Sequence, residues 1–102
     1  MIYANKKVQN NASQSVQNAK IISNVKALEE KNLVRINGNQ VYLEPGLWKN
    51  KLLAINWMEC LHIYCCLKLR FKEKDPLFFL DIHTEEQIGS YQHKKAKVSL
   101  FV

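Results

Sequence analysis

The apolar positions of this chain fall into two periods. Ala12, Val16, Ala19, Ile22, Val25 and Leu28 recur at steps of three and four, the stripe of an amphipathic helix running from a cap at Ser13 to Lys31. The preceding residues, Met1 to Asn11, are mostly polar and predict a loose arm or a frayed turn. Asn32 stands where that helix should stop, since asparagine tolerates the left-handed conformation of a helix terminus. Leu33–Ile36 and Gln40–Leu43 then alternate apolar and polar residues around Asn37-Gly38, a strong hairpin signal.

Glu44-Pro45-Gly46 closes the hairpin, with proline suited to a first helical turn. A second helix is expected from about Leu47 to Cys66, because Leu53, Trp57, Leu61 and Tyr64 keep helical spacing. Between Cys60 and Leu67 almost every residue except His62 is apolar, which predicts the central core helix. At Leu67 the pattern switches to alternation, Leu67, Leu69 and Phe71 against Lys68, Arg70 and Lys72. Leu77–Ile82 is a near-continuous apolar run, as for a strand buried on both faces or at the middle of a sheet. Gln87–Tyr91 and Lys97–Val102 complete an antiparallel meander of about four strands. The fold class is therefore α+β: amphipathic helix, wing-like hairpin, long core helix, meander. With 102 residues it forms a single small domain.

Charge adds a functional direction. Lys and Arg number 15 against 9 Asp and Glu, a net +6, and the pI is about 9.3. The first fifty residues hold seven cations and three glutamates. A polyanionic partner is favoured by such a balance, through phosphate contact and counterion release.

Helix, tight stop and two-stranded ribbon, KIISNVKALEEKNLV followed by VRINGNQVYLEPG, resemble the recognition helix and wing of winged helix-turn-helix regulators of the MarR and Lrp type. The resemblance covers Ala19 to Gly46 and implies nucleic-acid binding, DNA rather than RNA, by an accessory or regulatory protein; the small size of the chain adds the expectation of a mobile element or virus as its source. It places Lys20, Ser23, Asn24 and Ala27 at the groove, and Lys31, Arg35 and Asn39 at phosphates. It departs from the family in having room for only one short helix before the recognition helix. Such regulators often pair, and the final strand offers an edge for a homodimer.

Two other classes compete with this reading. A protein-interaction module using an exposed strand or groove needs no nucleic acid. A small basic chain of helices followed by an antiparallel sheet also resembles the RelE-type ribonuclease toxins, with His83, Tyr91, His93, Lys94, Lys95 and Lys97 as the groups for RNA cleavage. Arginine, which that family places on its sheet, is scarce here.

Cys60, Cys65 and Cys66 are odd in number and bunched, which is no disulfide framework and fits a reducing cytoplasm. His62, Cys65 and Cys66 share a helical face, but a zinc site usually draws ligand pairs from separate elements. No metal or cofactor is expected. The most apolar stretch, Leu52–Phe71, contains Asn56, Glu59, His62, Lys68 and Arg70, so no membrane span is expected.

Overall fold

A computed structural model describes residues 2–99 of the chain, with side chains from residue 15 onward. The first helix, α1, spans Ile2–Glu30. It reaches back over the segment read as an arm and passes through Ser13, the expected cap, whose side chain lies outside the described residues. No glycine or proline occurs before Gly38, so nothing in the sequence interrupts helix propagation. Ile21, Ile22, Val25 and Leu28 turn inward. The helix stops as its sequence predicts. Asn32 adopts φ 60°, its N–H donates to the Glu29 carbonyl at 3.0 Å, and the Leu33 N–H donates to Leu28 at 2.9 Å. That pair of bonds is the Schellman arrangement, which satisfies the last helical carbonyls.

The hairpin follows as β1, Val34–Asn37, and β2, Gln40–Leu43. Its turn residues are Gly38 and Asn39, one step beyond the expected Asn37-Gly38, and Asn37 pairs with Gln40. Gly38 has φ 61°, the positive value required at the first position of a tight hairpin turn. This register sets Val34 against Leu43 and Ile36 against Val41, so both cross-strand pairs face the core.

Pro45–Leu47 forms a short 3-10 turn that delivers Trp48 into the interior. The second helix, α2, therefore starts later than expected and spans Lys51–Lys68. Asn50 caps it, its side-chain oxygen accepting from the Leu53 N–H at 2.9 Å. Ala54, Met58, Leu61 and Cys65 form its fully buried stripe.

The alternating run at Leu67–Phe71 is not a strand. Leu67 and Lys68 finish α2, and Arg70 takes a left-handed φ of 61°. That bend folds Phe71 back onto the core while Leu67 and Leu69 stay exposed. The bend buries the largest apolar side chain of the run at the expense of the two leucines.

The meander accordingly has three strands, β3 Leu77–Asp81, β4 Gln87–Gln92 and β5 Lys95–Val98. Residues 100–102 of the expected last strand lie outside the described residues. All strands join one sheet in the order β1-β2-β3-β4-β5. Only β2 and β3 run parallel, with Val41 opposite Phe79. A parallel neighbour needs a long crossover, and α2 supplies it. The α+β class holds, and the wing-like hairpin is the outer part of this five-stranded sheet.

The core lies between the helices and one face of the sheet. Phe79 sits at its centre, with Trp48 tilted against it at a ring separation of 5.7 Å. No helix among the described residues is long and apolar enough to cross a membrane.

Candidate nucleic-acid interface

Strand alternation gives the sheet a second face, and no described element covers it. Val34, Ile36, Val41, Leu43, Leu77, Phe79, Ala96 and Val98 pack into the core. Their neighbours along each strand must point the other way. Tyr42, Phe78 and Leu80 are partly buried, yet none of them packs on the core cluster.

Register aligns these outward residues in rows. One row runs Asn37, Gln40, Phe78, Ser90, Lys97 from edge to edge. The next runs Arg35, Tyr42, Leu80, Gln87. Gln92 and Lys95 pair beyond the first row. With strands about 4.8 Å apart, the long row spans roughly 19 Å.

Arg35, Lys95 and Lys97 are exposed cations on this face, and none of the row positions holds a carboxylate. Acids lie beyond the rows at both ends. At the β4–β5 turn, Glu73 is 3.4 Å from Lys94. At the other end, Glu44 follows β2, Asp81 ends β3, and Glu85 and Glu86 lie in the connection to β4. There the His83 ring pairs with Glu44. Arg35 has its guanidinium 4.5 Å above the Tyr42 ring, a cation–π contact that holds the charge flat against the sheet. The Tyr42 hydroxyl donates to the Gln40 side chain at 3.3 Å.

The residues assigned from the wing-like pattern divide between separate surfaces. Lys20, Ser23, Asn24 and Ala27 are exposed on α1, but Lys20 and Asn24 border the cleft with α2, while Ser23 and Ala27 lie on another face of the helix beside Ile22 and Lys26. Lys31 is exposed just past the end of α1, and Asn39 is exposed at the hairpin tip. These two occupy opposite ends of four-residue strands, roughly 13 Å apart along the ribbon. Arg35 is one residue out of step with Val34 and Ile36, which face the α1 side. It therefore projects from the opposite layer, and the helix cations and Arg35 share no continuous surface. Tyr42 and Phe78 escape the sequence reading, and Lys97 enters it only as a group for RNA cleavage. Their only signal was alternation within runs whose uncovered face depends on where the helices pack.

The groups named for RNA cleavage also separate. His83 lies before β4 and His93 after it, so a six-residue strand, about 20 Å long, stands between them. Tyr91 is buried and packs its ring 5.1 Å from His62. His93 and Lys94 form the β4–β5 turn with φ of 52° and 61°.

The cysteine cluster is mostly interior. His62 is 5% exposed, its Nε2 lies 2.9 Å from the Asp75 carbonyl and therefore donates to it, and its Nδ1 lies 3.7 Å from the Cys66 sulfur. Burial, reinforced by Asp75 and Glu73, pushes the Cys66 thiol up, which disfavours the thiolate a nucleophile needs. Burial with the neighbouring Cys66 and Glu29 pushes Cys65 up to about 12. Cys60 is likewise raised, by burial and then Glu59. Among the described residues no three His, Cys, Asp or Glu side chains converge to hold a metal ion.

The chain matches no protein-family model, and it finds no match among curated proteins or among solved structures.

Proposed function

We propose that this chain is a small basic nucleic-acid-binding protein whose contact surface is the open face of its sheet. The observation that carries this reading is the acid-free array of Arg35, Lys95 and Lys97 on a face no described element covers. Cations spaced across a flat surface suit phosphates, whose release of condensed counterions supplies affinity. Gln40, Ser90 and Gln92 add hydrogen-bonding groups between them. The role is binding without catalysis, as for an accessory or regulatory factor.

Fluorescence anisotropy with labelled oligonucleotides tests it. About two phosphate contacts, at Lys95 and Lys97, give a slope of log K against log salt near −1.4 to −1.8. Lys97→Ala should weaken binding and reduce that slope by about one. Absence of binding to every single-stranded and duplex probe at low salt would remove the proposal.

A second reading rests on the cleft between the helices. Ile21, Val25, Leu53, Trp57 and Cys60 line a mostly apolar hollow of about 210 Å³, and Leu53 is 36% exposed there. A protein partner fits such a surface, and Leu53→Asp would abolish that interaction while sparing nucleic-acid binding.

A further inference from the structure

The open face carries more than charge, and its other features select the form of nucleic acid. We infer that it takes a single strand, with unpaired bases stacked on Phe78 and on the Arg35–Tyr42 pair and phosphates held by Lys95 and Lys97. This rests on the proposed function above and specifies its ligand.

The argument begins with the apolar content of the face. Phe78 stands in the middle of the long row, flanked by Gln40 and Ser90, and Leu80 stands beside Tyr42 in the next. These side chains are only partly covered by their neighbours. A duplex turns phosphates and sugars outward and offers nothing apolar to a flat surface. Reading its bases requires an element that enters a groove. No loop rises from these rows, because each position lies within a strand, with one register shift, between Phe79 and Leu80. An unpaired base has an exposed π-face, which both Phe78 and a planar guanidinium can receive.

Spacing agrees with this choice. Tyr42 is opposite Leu80 and Gln40 is opposite Phe78, so Tyr42 and Phe78 are diagonal neighbours on adjacent strands. Such neighbours lie roughly 7–8 Å apart, close enough for bases of one strand to occupy both. Arg35 is already ordered over Tyr42, so its outer plane is presented to a base with little loss of side-chain freedom. Lys97, at the far end of the Phe78 row, is placed to meet the backbone of the same strand. Gln40 and Ser90 flank Phe78 within reach of a base edge or a ribose 2′-hydroxyl.

The test compares oligodeoxyuridine, oligouridine and a mixed-sequence duplex, each of about 12 nucleotides, at fixed low salt. At least one single-stranded probe should bind roughly tenfold or more tightly than the duplex, and the ratio of the two single-stranded affinities identifies the sugar. Phe78→Leu removes the π-face but keeps an apolar side chain, and should weaken single-strand binding roughly fivefold or more. Phe78→Tyr should retain binding, and the Phe78→Leu salt slope should stay at the wild-type value, since no phosphate contact is lost. Circular dichroism melts of each variant establish that the fold is kept. Equal affinity for duplex and single strands, or indifference to Phe78→Leu in a folded protein, would overturn the single-strand inference while leaving nucleic-acid binding standing. Failure of all three probes to bind would remove both.

Discussion

Gly89 is the residue whose replacement most directly tests the packing that places β5 and its lysines. It sits on β4 opposite Phe79 and Val98, buried beneath α2. Its backbone does not adopt the left-handed region, so alanine is barred by space alone. An added Cβ would lie 2.4 Å from Met58 Cε, 2.8 Å from the Lys97 carbonyl oxygen and 3.2 Å from Trp48 Cη2. The first contact is with the end of a flexible side chain, which can swing aside. The second is with backbone already fixed in the β4–β5 pairing, so it yields only if β5 moves. Overpacking of this kind costs about 1–3 kcal/mol, offset by up to about 1 kcal/mol from the smaller unfolded-state entropy of alanine. We expect Gly89→Ala to lose about 2 kcal/mol in urea unfolding followed by circular dichroism, or roughly 8–16 °C in Tm. Adding Met58→Ala should relieve only the side-chain contact, leaving the double variant less stable than Met58→Ala by about 1 kcal/mol or more. A loss below about 0.5 kcal/mol, or full rescue by Met58→Ala, would refute the assignment of the cost to the Lys97 carbonyl.

Further measurements probe other parts of the fold. Asn50→Ala removes the cap of α2 and should cost about 1 kcal/mol in chemical denaturation, with Asn50→Ser recovering most of it. Lys94→Gly should raise stability by about 1 kcal/mol, because a lysine at φ 61° in the β4–β5 turn is strained and glycine is not. Its ion pair with Glu73, 3.4 Å and exposed, offsets little of that gain. Cys65 is raised in the folded protein from an ordinary 9.0 to about 12, so folding favours its neutral thiol. The stability this provides is fully present below about pH 9 and is lost as pH rises toward 12. Alkaline unfolding titrations should show that decline, and Cys65→Ala should make it shallower.

The legible parts of this sequence are those set by neighbours along the chain. Asn32 stops α1 because its own side chain and backbone suit a left-handed terminus. Gly38 makes a two-residue turn possible, and alternation on either side builds β1 and β2. The apolar run from Leu77 was readable as the middle strand, and its place third of five agrees. The start of α1 is not legible, because a polar composition predicts a loose arm even where no residue breaks the helix. Leu67–Phe71 was missed because its alternation satisfied the strand period, and only contact with the core shows why Arg70 turns left-handed to bring Phe71 inward.

The candidate surface was not legible at all as a surface. The sequence by itself determined the charge excess, and also the stop of α1, the hairpin, the second helix and the apolar middle strand, each of which depends on residues only a few positions apart. Tertiary structure alone decided that β2 and β3 lie parallel, that the helices cover one face of the sheet, and that Arg35 therefore emerges on the side away from Lys20 and Asn24. The physical reason is that alternation fixes two faces for every strand but gives neither a preference. Which one meets solvent is settled only when α2 crosses over and α1 docks, because burying one apolar face on both helices leaves the other exposed.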